Sequence, residues 1–492
     1  MLKNRLTAGV IALFAFFFLL AGCSQGTGTI SATSPATAPS TAATVPASTT
    51  ISKSAVFSTN SSTIQTTKTT LTTTQTVPIQ YLSLYNQLQG YVSADDKLVS
   101  TQWNGTTYPV NCAAELLTAD TNTGPGILTS NERQMMTAEL DGEVALGVKA
   151  ITVEIGFPVF DHNSYIYDGQ SAAQAQQTVQ TWLDYYTTLA QAIHSRGLKM
   201  IVEANPLLSF YISSASSFNP TAYYKSLDFA TYEKLRSEHN VILAQQIKPD
   251  YLLLQTEPQT DAVNDFRPEL NNAAKDIAMI SKFVTDIQGA GIKGLHSLIQ
   301  IGSGAGTWQP DWKAFFTGLD DIAGLDKIDT HIYNLQPNVN QIGEVPIAMQ
   351  IADMAHAAGK GVTMSEFWFH KSNILVGLTE GGDPLIDIRV RDMFSFWEPL
   401  DAQALQLLAK LANDKHFDYV SAFGHYHWFA LIDYNLIHSQ PVYPAANSTQ
   451  NEVIDNQITT LQNQSARQAL NDNQLSPTGK AYQTIITNQS IP

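Results

Sequence analysis

The sequence predicts an α/β protein whose folded part is a single (β/α)8 barrel, or TIM barrel, with long loops after the strands. From about residue 77 onward, short apolar segments typical of β-strands alternate with longer amphipathic segments typical of helices. A glycine precedes several predicted strands, as in Gly147-Val148-Lys149, where it suits the left-handed residue that closes a helix. The predicted strands number eight, and eight parallel strands close a barrel.

The apolar segments place these strands at residues 107–114, 149–155, 199–204, 251–256, 298–302, 327–333, 361–366 and 419–428. An open, doubly wound sheet is the alternative for alternating strands and helices. No Gly-x-Gly-x-x-Gly motif follows the first strand, so the dinucleotide-binding form of that sheet is not indicated. We therefore expect a closed barrel.

Amphipathic periodicity predicts the connecting helices at residues 130–146, 172–196, 232–248, 271–290, 346–358 and 402–414, and a further helix at 460–471. A segment over residues 78–105 precedes the first strand and is expected to pack on the barrel. Residues 78–492 would then form one folded domain.

The first 22 residues have the features of an export signal. A short basic start precedes an apolar run over residues 8–20, which is too short to span a bilayer. The run ends in Leu20-Ala21-Gly22-Cys23, which resembles the bacterial lipobox, where the cysteine is acylated after cleavage. The resemblance implies that residues 1–22 are a lipoprotein signal peptide and that Cys23 carries a lipid. A plain signal peptide or an N-terminal anchor helix is the alternative.

Residues 23–77 are predicted to be a disordered tether that follows the lipidated cysteine. Ser, Thr, Ala and Pro dominate this stretch, and its aromatic and charged residues are Phe57, Lys53 and Lys68. So little apolar surface does not compensate for the entropy lost on ordering. A lipid, a flexible tether and a folded domain predict an extracellular protein that is anchored to the membrane of the cell envelope.

The composition excludes several classes of protein. The chain has 27 basic and 43 acidic residues and a formal charge of -16, which argues against nucleic acid as a partner. Two cysteines are too few for a disulfide-stapled scaffold or a zinc-finger array. If Cys23 is acylated, Cys112 has no partner within the chain and is expected to be a buried apolar residue.

Functional-looking residues stand where four of the predicted strands end, the edge at which (β/α)8 barrels carry their chemistry. Glu257 follows the fourth strand, and Glu366 ends the seventh. His331 and Tyr333 end the sixth strand, and Trp428 ends the eighth. We expect these side chains to meet at one mouth of the barrel.

Side chains alternate along a strand, and this alternation predicts that both glutamates point into the mouth. It places Glu257 on one face with Leu253 and Gln255. It likewise places Glu366 on one face with Val362 and Met364.

Two facing carboxyl groups are the requirement for cleaving a glycosidic bond. One protonates the leaving oxygen, and the other attacks the anomeric carbon or activates water there. Their surroundings must differ, so that one holds a proton while the other is ionised. His331 and Tyr333 are plausible hydrogen-bond partners that would orient Glu366 and keep it charged.

Over most of residues 79–492, the strand order and these motifs resemble clan A of the retaining glycoside hydrolases, also called the 4/7 superfamily. The resemblance implies that Glu257 is the acid/base and Glu366 the nucleophile of a retaining β-glycosidase, which acts on a β-linked polysaccharide or oligosaccharide without a cofactor. The clan's His-x-Tyr motif matches His331 and Tyr333, and its aromatic residue at the eighth strand matches Trp428. Thr256 departs from the clan, which usually has Asn directly before the acid/base, where it holds the sugar 2-hydroxyl.

Three further residues are candidate contacts for the substrate, each with a structural alternative. Thr256 offers a hydroxyl with a shorter reach than an amide. Trp368 is either a platform for a sugar ring or part of the loop packing, and Asn205 is either a substrate contact or part of an Asn-Pro turn. Trp308 and Trp312, after the fifth strand, could equally pack on a helix.

Two other functions are open at this point. His425 and His427 form a His-x-His pair that could bind a catalytic metal with His331, although on a regular strand this pair and Trp428 face opposite ways. A barrel with a degenerate site could also bind saccharide without cleaving it, and Thr256 keeps this alternative open. We expect no metal and no cofactor, a monomer, and two partners, the saccharide and the membrane.

Overall fold

The computed structural model describes residues 76–102, 111–208, 220–333, 335, 343–371, 388–422, 425–438 and 448–488. The predicted signal peptide, the lipidated Cys23 and nearly all of the tether lie outside the described residues and stay predictions. In the part of the chain that is described, no helix has both the length and the apolar character needed to cross a membrane.

Eight parallel strands form a closed barrel, in which each strand pairs with the next and β8 pairs with β1. They are β1 Asn111–Glu115, β2 Ala150–Glu154, β3 Lys199–Glu203, β4 Tyr251–Leu253, β5 Gln300–Gly306, β6 Lys327–His331, β7 Gly361–Phe367 and β8 Phe417–Ala422. The pairing of Cys112 with Val420 closes the ring and excludes an open sheet. The predicted (β/α)8 fold is confirmed.

The interior of the barrel is filled by a small apolar cluster that is separate from the main core. Its members are Ala113, Ala150, Ile201, Tyr251, Leu253 and Tyr419. The rings of Tyr251 and Tyr419 meet edge to face across the barrel at 4.8 Å. Two residues further along β1 and β3 the inward positions are acidic, Glu115 and Glu203, so the barrel changes from apolar to charged toward its C-terminal end.

Helices and short turns surround the strands. The longer helices are Leu82–Gln102, Ser130–Leu146, Ala172–Ser195, Phe229–Ile242, Ala273–Gly289, Trp312–Asp320, Glu344–Ala357, Glu398–Asp414, Ser448–Asn471 and Pro477–Asn488. The helix Ser130–Leu146 has the predicted bounds because both ends carry a capping residue. The Thr129 hydroxyl accepts from the backbone N–H of Glu132, and Gly147 ends the helix at a φ of 99°. The helices Trp312–Asp320 and Pro477–Asn488 were not predicted.

The N-terminal segment packs on the barrel domain, as predicted. Tyr81 is fully buried, and its ring contacts those of Phe396, Trp397 and Tyr434. Further along the same segment, the Lys410 ammonium pairs with Asp96. These contacts join the helix Leu82–Gln102 to the helix Glu398–Asp414, which precedes β8.

Three strands end three or more residues away from the predicted position. β4 ends at Leu253, after which the chain turns into the short helix Pro258–Asn264. β5 continues to Gly306 and has a glycine at every second position from Gly302. A Cβ on Gly304 would collide with the backbone of Asp329, so a glycine-rich segment that is typical of a turn forms a strand here. β8 ends at Ala422, and the residues of the predicted strand beyond it include the turn His425–Trp428.

Cys112 is a free thiol in β1, and it is buried as predicted. Burial raises its pKa to about 12, so the thiol is neutral and behaves as a small apolar side chain.

A buried glutamate in the outer layer gives the first testable prediction. Neither carboxyl oxygen of Glu143, on the helix Ser130–Leu146, has a hydrogen-bond partner among the described residues. Burial and the Glu139 carboxyl raise its pKa well above 4.5, so the folded state holds this proton more tightly than the unfolded state does. The free energy of unfolding must therefore fall as the pH rises above 4.5.

We expect Glu143→Met to raise the free energy of unfolding by about 1–3 kcal/mol at pH 8 and by less at pH 5. Denaturant unfolding at both pH values measures the difference. An equal gain at pH 5 and pH 8 would contradict the assignment of a raised pKa to this group.

Candidate active site

His331 brings the two candidate catalytic glutamates together. Its Nδ1 atom lies 2.9 Å from Glu257 Oε1 and 3.4 Å from Glu366 Oε2, while Nε2 lies 2.8 Å from the Ser365 hydroxyl. The ring itself is fully buried. The glutamates after β4 and on β7 therefore share one edge of a single imidazole.

Glu366 reaches this ring because β7 contains a bulge. Met364 pairs with Val420 and Phe367 with Ala422, so three steps along β7 match two along β8. The expected common face of Glu366 with Val362 and Met364 is wrong, since those two side chains belong to the outer core. Ser365 and Glu366 are consecutive, yet both contact His331, because the bulge breaks the alternation.

Glu257 is also placed by an irregularity. The regular strand ends at Leu253, and the Gln255 side chain donates to Asp261 of the following helix. The predicted common face of Gln255 and Glu257 is therefore wrong. Glu257 is the residue before Pro258, which starts that helix, and its carboxyl group is 15 % exposed at the mouth.

Thr256 and Asn205 form a buried network beneath the mouth. Asn205 donates to the Thr256 hydroxyl at 2.7 Å and accepts from its backbone N–H at 2.9 Å. The Thr256 hydroxyl in turn donates to Glu203 at 3.1 Å. Thr256 is fully buried, so its place is that of a positioning residue for Glu257 rather than the predicted substrate contact.

Tyr333 contacts the other carboxyl group, because its hydroxyl donates to Glu366. The Tyr333 ring stacks on His370 at 4.9 Å, and the partly exposed Trp308 lies 5.8 Å away. Glu344 fixes the backbone here by accepting from the Tyr333 N–H at 3.3 Å. Tyr333 and Trp308 are thus the aromatic residues beside Glu366.

The two tryptophans predicted as substrate contacts lie in the core. Trp428 has no exposed surface, because its ring stacks on Tyr482 at 4.8 Å and meets Trp368 edge to face at 6.0 Å. Trp368 is 4 % exposed and donates its indole N–H to Asp392. Both predictions are corrected: these rings are packed on several sides and offer no face to a sugar.

The geometry also argues against the His-x-His metal site. β8 ends at Ala422, so His427 lies in a turn instead of on a strand, and its ring packs 4.8 Å from that of Trp368. The His425 side chain is outside the described residues.

A different group, Glu203, His331 and Glu366, has possible ligand atoms within 4.8 Å of one another. It fits a metal ion poorly, since both ring nitrogens of His331 already lie within hydrogen-bond distance of oxygen atoms.

Sequence reasoning missed the acidic residues on the other side of the mouth. Glu115, Glu154 and Glu203 end the three consecutive strands β1, β2 and β3, and each is less than a tenth exposed. A glutamate at the end of three successive strands is a signal that the sequence contained. Asp329 lies below His331 and accepts from the backbone N–H and the hydroxyl of Ser365.

These charges set the protonation states. Burial alone would lower the pKa of His331, but Glu366, Asp329, Glu257 and Glu203 together raise it well above 6.5, so the ring is an imidazolium. Burial, with help from Glu203 and Glu257, raises the pKa of Glu366 well above 4.5. His331 and Tyr333 lower that pKa, as expected, but they do not reverse the net direction.

Nuclear magnetic resonance of the histidine rings tests this arrangement. We expect both nitrogens of His331 to be protonated at pH 7.5, with the signal identified by its loss in His331→Gln. In Glu366→Gln the His331 pKa should fall, because a neighbouring negative charge is removed. A neutral ring at pH 7.5, or one whose signal shifts when Zn²⁺ is added, would contradict the imidazolium and favour a metal site.

No protein-family model matches the chain, and no curated protein matches it in sequence. Solved structures with a similar fold are glycoside hydrolases with low sequence identity. Exo-beta-1,4-mannosidase Op5Man5 from Opitutaceae bacterium strain TAV5 is 13% identical at a TM-score of 0.47, over 78% of this chain and 60% of that one. This chain therefore spans less than two thirds of the mannosidase's length.

A GH5_18 protein from Bifidobacterium longum subsp. longum ATCC 55813, in complex with Manb1-4GlcNAc, is 10% identical at a TM-score of 0.42, over 77% of this chain and 78% of that one. The hyperthermostable endo-1,4-beta-D-mannanase from Thermotoga petrophila RKU-1 is 12% identical at a TM-score of 0.38, over 72% of this chain and 100% of that one. The function of the site in this chain therefore rests on its own geometry.

Proposed function

We propose that the protein is a retaining β-glycosidase that acts on a β-linked polysaccharide or oligosaccharide. Glu366 is the nucleophile, and Glu257 is the acid/base. The observation that carries this proposal is the contact of both carboxyl groups with one edge of His331.

The separation of the two glutamates supports a retaining mechanism. Glu257 Oε1 and Glu366 Oε2 lie 2.9 Å and 3.4 Å from the same nitrogen, so they are no further apart than these two distances combined. Oxygen atoms that share one nitrogen leave little room between the carboxyl groups for the water molecule of an inverting pair, whose groups are ~6.5–9.5 Å apart. A pair this close can act from both sides of one anomeric carbon.

In the first step, Glu366 Oε attacks the anomeric carbon while Glu257 gives its proton to the leaving oxygen. The C–O bond to the leaving group breaks as the ester bond to Glu366 forms. In the second step, Glu257 takes a proton from water, which attacks the same carbon and releases Glu366 as a carboxylate.

The neighbouring groups fit these roles. The Tyr333 hydroxyl donates to Glu366 and stabilises its charge, while His331 orients Glu257 through a hydrogen bond of 2.9 Å. Trp308 supplies partly exposed aromatic surface beside Tyr333, where a sugar ring can stack.

A saccharide-binding protein without catalysis is the second candidate. The raised pKa of Glu366 favours it, because a protonated carboxyl is a poor nucleophile. The first experiment below separates the two candidates.

We further propose that the chain is a monomer on the extracellular face of the cell envelope, held by a lipid on Cys23. Support comes from the lipobox-like tetrad and the tether that follows it.

Release of reducing sugar by the full-length protein from β-glucan, β-mannan, β-galactan and xylan tests the activity. We expect Glu366→Gln to lower kcat at least about 10³-fold and Glu257→Gln about 10²–10⁴-fold, since each removes a reacting group. Glu238→Gln is the control, because this exposed residue pairs with Lys234 outside the mouth.

On a substrate with a good leaving group, azide should restore turnover to Glu257→Ala and give a glycosyl azide of retained configuration. Turnover that survives Glu366→Gln would refute the nucleophile. Glycan binding without turnover by the wild-type protein would favour the second candidate.

The pH profile follows from the charges around Glu366. Because its pKa is raised above 4.5, we expect kcat/KM to keep rising with pH across the neutral range. His331→Gln removes a positive charge that lowers this pKa, so the rising limb should move to higher pH. A wild-type limb complete by pH 5, or one that His331→Gln leaves in place, would contradict this reasoning.

A further inference from the structure

Three glutamates form a wall on one side of the mouth. We call Glu115, Glu154 and Glu203 the acidic wall; they end β1, β2 and β3, and Glu154 and Glu203 are paired neighbours in the sheet. The Glu115 carboxyl interacts with those of Glu154, Glu203 and Glu366, so the wall extends to the proposed nucleophile. Acidic groups are therefore concentrated beside the reacting centre.

The described part of the chain places little positive charge beside this wall. Among the ion pairs of the described residues, neither Glu115 nor Glu154 takes part in one, and Glu203 meets only His331, at 3.8 Å.

The segments that follow the strands are 116–129, 155–161, 204–219, 254–257, 307–311, 332–343, 368–387 and 423–433, and they contain one lysine and no arginine. That lysine, Lys371, is fully buried and pairs with Asp401.

Two oxygen atoms of the wall have no partner. Glu115 Oε2 and Glu203 Oε1 are buried and accept no hydrogen bond from the described part of the chain, although both side chains are 1 % exposed. A buried acceptor without a donor is costly, so the wall calls for a ligand that brings several donors.

The position of Glu203 indicates which part of a substrate this ligand group would be. Possible ligand atoms of Glu203, His331 and Glu366 lie within 4.8 Å of one another. A Glu203 carboxyl group this close to the attacking oxygen of Glu366 would lie next to the substituent on C2 of the sugar, the carbon beside the anomeric carbon.

We infer that the acidic wall binds the ammonium group of an amino sugar, so that the substrate class is a β-linked glycan of glucosamine type. This inference rests on the proposed glycosidase function for its catalytic part, whereas the binding part stands by itself. An ammonium offers three donors and a full positive charge, which matches the unpartnered acceptors and the uncompensated carboxyl groups.

Two other ligands fit less well. A metal ion bound by Glu203, His331 and Glu366 together would need a lone pair on His331, whose two nitrogens are already engaged. A neutral sugar hydroxyl brings a single donor and no charge. Burial raises the pKa of Glu203 to about 7 and those of Glu115 and Glu154 well above 4.5, and a bound ammonium would shift all three groups toward their ionised forms.

Three tetrasaccharides with the same β-1,4 backbone test the inference on the full-length protein, built from glucosamine, glucose and N-acetylglucosamine. At pH 6.5, calorimetry measures the binding of each tetrasaccharide to the Glu366→Gln variant, and a separate assay measures its hydrolysis by the wild-type protein. We expect the glucosamine tetrasaccharide to bind at least about tenfold more tightly than the glucose one, with release of protons. Glu154→Gln should reduce this preference about tenfold, whereas the buried Glu143→Gln, outside the mouth, should leave it unchanged.

The outcomes separate the two proposals. Preferred binding without hydrolysis supports the acidic wall and refutes the glycosidase. Hydrolysis of the glucose tetrasaccharide, with no preference for the amine, supports the glycosidase and overturns the inference. A preference that disappears with EDTA overturns it in favour of a metal ion, and binding of none of the three also overturns it. The comparison of ligands does not depend on whether Glu154→Gln folds.

Discussion

One buried imidazolium, that of His331, holds the barrel mouth together. Glu257, Glu366, Asp329 and Glu203 all have an oxygen within 3.8 Å of its ring nitrogens. In a medium that screens charge weakly, carboxylates this close would repel one another strongly without a positive charge between them. The two proposed catalytic groups are therefore neighbours because they share a cation, and the distance between them depends on its charge as much as on the backbone.

The backbone contributes by fixing the ring from the opposite side. Asp329 accepts from the hydroxyl and the N–H of Ser365, and Ser365 Oγ lies 2.8 Å from Nε2 of His331. The bulge in β7 lets Ser365 hold the ring while Glu366, the next residue, faces its other nitrogen. A regular strand would point these two side chains to opposite faces. The bulge allows Ser365 to position His331 and the next residue, Glu366, to reach the same ring.

Patterns in the sequence predicted the fold because they depend only on local periodicity. The eight strands and most of the helices followed from spacing alone. The orientation of Glu257 and Glu366 did not, because strand alternation fails at the end of β4 and at the bulge in β7.

The burial of Trp428 could not be predicted either, because its ring stacks on Tyr482, which belongs to a helix that was not predicted. The acidic wall, in contrast, could have been found by asking what ends each strand.

One group of buried acids in the outer layer is compensated by a cation, unlike Glu143. Asp261, Asp265 and Asp276 are fully or almost fully buried, and all three interact with Arg236, a buried cation among them. The buried Asp401 is likewise paired with a cation, the Lys371 ammonium. At the acidic wall, the described residues give an equal number of buried carboxyl groups one charged contact, that of His331 with Glu203.

Such an arrangement destabilises the folded state. The charge that is missing from the wall has to be brought by protons in the free protein and by a ligand in the complex. A site built in this way binds a cation and releases protons when it does so.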